Sequence, residues 1–153
     1  MISINIIVTT QVSDLFPLNK RHLRKYSQNV LKESGFSKGE ANIVFIDDEK
    51  MTSLNEDYKK RKGSTDVLSF NLSDDCSRVI DGEVYISLER AHEQSFNFCV
   101  PVENEILRLV THGLLHLAGY IHDTEEEYSF MEETTERFVQ SFSPMARTNG
   151  GDE

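Results

Sequence analysis

Apolar and polar positions along the chain follow two rhythms, one close to two residues and one close to three and a half. The segment SINIIV (3 to 8) is rich in β-branched residues and predicts a strand. In the stretch 17 to 35, Leu23, Tyr26, Val30 and Leu31 recur at helical spacing, and Gly35 supplies a stop. NIVFID (42 to 47) reads as a buried strand. In DEKMTSLNEDY (48 to 58), Met51, Leu54 and Tyr58 share one face of a short helix that Asp47 or Asp48 can cap. TDVLSFNL (65 to 72) and GEVYISL (82 to 88) predict two more strands. The second alternates Val84, Ile86 and Leu88 with Glu83, Tyr85 and Ser87. A helix opens at Ser87 or Leu88 and runs to about Phe98. The next, 102 to 120, carries Ile106, Leu107, Val110, Leu114, Leu115 and Leu117 around most of its circumference, which predicts a central helix. Pro101 suits its start and Gly119 its end. A last helix from Thr124 to about Phe142 opens with a capping-box pair, Thr124 and Glu127, and an acidic first turn that favours the positive end of the helix dipole.

Strands and helices interleave, so the class is α/β or α+β, with strand order open. There is no internal repeat, low-complexity run or Pro/Gly/Ser linker in the 153 residues, which predicts a single domain over 1–142 and a disordered tail over 143–153. A hydrophobic fraction of 38% and a charged fraction of 27% are those of a soluble globular protein. Cys76 and Cys99 lack metal-ligand spacing and read as reduced thiols of a cytoplasmic protein. The N-terminal residues lack the pattern of a signal peptide, and no run is apolar enough for a membrane span, so no membrane partner is expected. The net charge of −10 disfavours a polyanionic ligand. The distribution of charge weakens that objection, because KRHLRK (20 to 25) and KKRK (59 to 62) form two short cationic patches able to meet phosphates.

The chemistry concentrates in THGLLHLAGYIHD (111 to 123), which holds three of the five histidines. His112 and His116 are four apart on a helix and so present their rings to a common point. A stop at Gly119 lets the chain turn back and bring His122 to the same point. Three imidazoles with an open fourth position form a metal site of the kind that lowers the pKa of bound water to about 7. The zinc signature of the metzincin peptidases, H-E-x-x-H-x-x-G-x-x-H, has its histidines and glycine at the offsets occupied here by His112, His116, Gly119 and His122. Its glutamate, the general base of peptide hydrolysis, is replaced by Gly113. Zinc, one ion per chain, is the expected metal, and nickel or copper would also suit three imidazoles. His22 and His92 lie in charged helical surroundings and read as structural.

HGLLHLAGYIH resembles the H-G-x-L-H-L-x-G-Y-D-H signature of the YbeY family. LNEDYKKRKGSTDVLSFNL (54 to 72) is similar to that family's N-x-x-Y-R-x-x-x-x-P-T-D-V-L-S-F stretch, with Asn55, Tyr58, Thr65, Asp66, Val67, Leu68, Ser69 and Phe70 in register. GEVYIS resembles its G-D-I-x-I segment, and Met131 with the following glutamate its C-terminal helix. The resemblance implies an α+β domain in which a small mixed sheet of about four strands packs against helices, the histidine helix being central. It also implies a metal-dependent endoribonuclease of ribosomal RNA maturation, with His112, His116 and His122 as metal ligands. The family's arginine after the tyrosine falls on Lys59, which keeps the charge without the bidentate fork. Ser64, Ile121 and Glu83 replace a proline and two aspartates of the family pattern.

The expected activity is hydrolysis of single-stranded RNA during small-subunit rRNA maturation and ribosome quality control, with the small subunit and assembly factors as partners. Lys59 is the catalytic candidate, and Lys59, Arg61 and Ser69 are the candidates for substrate binding. Two other readings stay open at this point: a non-catalytic, metal-stabilised ribosome-assembly factor, and a metal-dependent peptidase or amidase.

Overall fold

A computed structural model describes residues 1–9, 18–58, 63, 65–73 and 78–142. Strand β1 (Ile2–Val8) buries Ile2, Ile4 and Ile6 on one face, as its period of two requires. Helix α1 (Lys20–Glu33) starts at Asn19, whose side chain accepts from the His22 backbone N–H at 3.0 Å. It ends at Gly35, whose φ of 100° L side chains avoid. Strand β2 (Lys38–Ile46) leads to α2 (Asp48–Tyr58), and the cap is Asp47, which accepts from the Lys50 N–H at 2.7 Å. Strands β3 (Val67–Asn71) and β4 (Val79–Ser87) follow, then α3 (Leu88–Asn97), α4 (Val102–Leu117) and α5 (Glu125–Phe142).

The sheet order is β1-β2-β4-β3. β1 and β4 both run parallel to β2, and β3 pairs antiparallel with β4 at the edge. The sheet is thus mixed, and the single domain is the expected α+β arrangement. Two strands are longer than their apolar cores suggest: β2 begins four residues before Asn42, and β4 three before Gly82. Lys38, Glu40 and Asp81 are poor strand formers on composition. Each lies in the register that joins β2 to β4, where ladder hydrogen bonds outweigh side-chain preference. The two strands approach so closely that a Cβ on Gly39 would stand 2.0 Å from the Ile80 carbonyl oxygen.

One face of the sheet carries the main core. Ile4, Ala41, Ile43, Phe45, Ile80, Val84 and Ile86 pack there against α1, α3 and α4, and α5 packs on α4. On the other face α2 closes a small cluster of Ile46, Met51 and Leu68, flanked by Leu54, Phe70 and Tyr85. α4 is central, as its sequence predicts: Leu107, Val110, Leu114 and Leu115 are each at most 1% exposed. It runs to Leu117 with Ala118 as its C-cap, so the expected stop at Gly119 falls at the residue just past the cap. The Gly119 N–H bonds back to His116 O and the Tyr120 N–H to Leu115 O, a reversal that needs the φ of 102° at Gly119. Among the described residues no helix is long and apolar enough to cross a membrane. The expected tail, 143–153, lies outside the described residues.

Candidate metal centre

The reversal after α4 sets the geometry of the three histidines. The Nε2 atoms of His112 and His116 are 3.2 Å apart. Ring centroids are separated by 4.7 Å for His112–His116, 4.9 Å for His116–His122 and 5.7 Å for His112–His122. One nitrogen from each ring lies within 4.8 Å of the other two. Tetrahedral ligands at about 2.1 Å from one ion stand roughly 3.4 Å apart. The helical pair already meets that spacing, and the exposed His122 ring stands within 4.8 Å of it. Burial holds His112 below the ordinary histidine value, an effect partly opposed by the nearby carboxylate of Asp66. A neutral imidazole, with a free lone pair, is the form that ligates a metal. The donor set and its spacing therefore fit a divalent transition ion.

The histidines form one wall of a cleft of about 410 Å³ whose opposite wall is Thr65, Asp66, Val67, Ser69 and Asn71 at the β3 edge. Ser69 spans the two, its hydroxyl donating to the Gly113 carbonyl at 3.0 Å. Asn71 donates to Leu117 O at 3.4 Å. Asp66 accepts from the Gln94 side chain at 3.2 Å, so α3 orients the carboxylate that faces His112. The sequence marks Asp66 only as part of a motif; its proximity to His112 is a tertiary fact. Gln94 carries no sequence signal at all.

Gly113 accounts for the glutamate missing from the peptidase frame. A Cβ at this position would stand 2.4 Å from Val84 Cγ1 and 3.2 Å from Ser69 Oγ. The helix lies flush against the sheet there, with no room for a carboxylate base. His22 sits on α1 and His92 on the surface of α3, and neither belongs to the histidine cluster.

Lys59 and Arg61 fall outside the described residues. The ends of their segment are held. Tyr58 closes α2, and at Gly63 the Asn55 side chain donates to the carbonyl at 2.9 Å while Glu56 accepts from the N–H at 3.1 Å. Asn55, 3% exposed, is the inward-facing member of the N-x-x-Y motif.

The sequence profile described as Endoribonuclease YbeY matches residues 8–143. The chain belongs to the YbeY family. Curated YbeY relatives agree along most of the chain. The Endoribonuclease YbeY of Carboxydothermus hydrogenoformans is 36% identical over 135 residues, covering 86% of this chain and 94% of its own. That of Thermoanaerobacter pseudethanolicus is 34% identical over 163 aligned positions, covering 96% and 99%. The solution structure of TM1509 from Thermotoga maritima superposes with a TM-score of 0.67 at 26% identity, covering 95% of this chain and 93% of that one. The YbeY resemblance read from the two motifs thus extends to the fold.

Proposed function

We propose that the protein is a metal-dependent endoribonuclease that cuts single-stranded RNA in the cytoplasm, in the maturation of small-subunit ribosomal RNA and in ribosome quality control. The observation that carries this reading is the convergence of three imidazoles on a cleft in a chain that belongs to a family of endoribonucleases. His112, His116 and His122 would hold the metal, zinc at one ion per chain being the best match to three nitrogen ligands. Bound there, the ion would supply Lewis acidity to a phosphoryl oxygen and ease deprotonation of water.

The protein's own groups do the rest. The Lys59 ammonium stabilises charge building on the phosphoryl oxygens, with Arg61 two residues on in sequence; a contact of this kind contributes a few kcal/mol in the transition state. Ser69 Oγ, whose proton is directed to Gly113 O, keeps lone pairs facing the cleft and accepts from substrate hydroxyl or amino groups. Asp66, held by Gln94, keeps a negative field beside the imidazoles. The steric block at Gly113 speaks against peptidase chemistry, which needs a glutamate there. The small subunit and its assembly factors are the proposed partners, and they would compensate for the repulsion between RNA and a chain of net charge −10.

The test is digestion of single-stranded RNA and of casein by the purified protein, with and without chelator, alongside His112→Ala. RNA should be cut and casein left intact. Chelation and His112→Ala should each abolish cutting, and elemental analysis should show metal lost from the variant. Cutting of casein, or RNA cleavage that survives in His112→Ala, would refute the proposal.

A further inference from the structure

Tyr58, the last residue of α2, is 67% exposed, yet its ring is not loose. It meets the Phe70 ring edge-on, with centroids 5.8 Å apart and planes at 80°. Phe70 meets Tyr85 in the same way, at 5.7 Å and 83°. The Tyr85 hydroxyl donates to Glu83 at 2.9 Å, which fixes the inner end of the row. Three rings thus form a braced line from the sheet outward, with one open ring at its outer end. Holding that ring in advance lowers the entropy lost when something stacks on it.

Its position relative to the histidine cleft follows from the pleat of β3. Ser69 faces α4 and lines the cleft, while Phe70, the next residue, faces the aromatic row. β3 is the terminal strand of the sheet, so the two surfaces lie on the opposite faces of one edge strand. In sequence Tyr58 is followed at once by the cationic run Lys59–Lys62. An exposed aromatic ring is a platform on which any base of a single strand can stack.

Resting on the endoribonuclease reading, we propose that Tyr58, backed by Phe70, is a stacking subsite for one nucleobase of a single strand that leaves the histidine cleft across the edge of β3. The ring takes the base through its π-face, so affinity there tolerates any sequence.

The test uses the full chain with a short, phosphorothioate-linked RNA strand that resists hydrolysis and carries one 2-aminopurine, moved position by position. In the wild type one position should show quenching on binding. Tyr58→Leu keeps the apolar contact with Phe70 but removes the ring. It should lose the quenching and weaken binding roughly tenfold, while the dependence of affinity on salt stays as in the wild type. Tyr58→Phe should restore both. Lys59→Ala should lower the salt dependence and retain the quenching. A strand abasic at the quenched position should bind the wild type and Tyr58→Leu equally. Wild-type affinity in Tyr58→Leu, or equal weakening towards the abasic strand, would overturn the subsite. If such a result accompanies RNA cleavage by the wild type, the subsite alone fails. If the wild type neither binds nor cuts RNA, the endoribonuclease reading fails as well.

Discussion

Gly113 sits between two histidine-bearing turns of α4 and under Val84, so a single methyl group there tests how the site is set. Alanine in place of glycine gains about 1 kcal/mol of helix propensity. Against this, the new Cβ would meet Val84 Cγ1 at 2.4 Å, a contact that cannot persist. Overpacking of a rigid core costs about 1–3 kcal/mol, and β-branched Val84, fully buried on β4, has little freedom to yield. Gly113→Ala should therefore lower the urea midpoint and, by pushing α4 off β4, weaken metal binding through His112. A midpoint at or above that of the wild type would mean that the helix shifts freely. At Lys59 the sequence marks the candidate by type and neighbours, and the described residues add only that Asn55 and Glu56 hold Gly63, four positions further on.

At the scale of elements, the histidine helix is fixed by its packing on the sheet and by a polar connection to α5. Arg108 on α4 donates to Glu136 on α5 at 2.6 and 3.1 Å and to Glu105 at 2.7 Å. Glu105 is 2% exposed, and burial raises its carboxyl above the ordinary value while the Arg108 guanidinium opposes the rise. Arg108→Ala would leave a buried carboxylate unpaired, at a cost of about 3 kcal/mol near neutral pH. The pH dependence has a definite sign. Without arginine the folded-state value of Glu105 rises further above its unfolded value, so the folded protein binds the proton more tightly. The destabilisation should therefore be largest at neutral pH and shrink as pH falls and Glu105 protonates. Urea titrations of both proteins at pH 7 and pH 5 would check it; a gap that widens at pH 5 would contradict the assignment. Helix ends were legible where caps are local chemistry: Asp47, and the Thr124–Glu127 pair, whose two reciprocal bonds measure 3.0 and 3.1 Å. The N-terminal extensions of β2 and β4 were not, because their polar residues enter the sheet only through pairing with neighbouring strands.

For the whole molecule, the candidate metal centre lies at the end of α4 and the start of the following loop, apart from the main core. Ile43, Phe45, Val84, Val110 and Leu114, all fully buried, do not depend on an ion to stay packed. Chelation should then abolish RNA cleavage while far-UV circular dichroism at 25 °C stays unchanged and Tm falls by only a few degrees. Loss of secondary structure on chelation would make the metal a folding element instead. The sheet order β1-β2-β4-β3 is itself a whole-molecule fact. It makes β3 an edge strand, which leaves one wall of the cleft open to a long substrate.

The sequence by itself determined the elements, the centrality of α4 and the identity of the three imidazoles, because periodicity, caps and helical spacing act over a few residues. Its two YbeY motifs also carried the fold class. Only the tertiary structure decided which wall faces the histidines, how Gln94 aims Asp66, and why a glutamate is barred at Gly113. Those contacts join residues distant along the chain, and their distances depend on how helix and sheet pack, which no local pattern encodes.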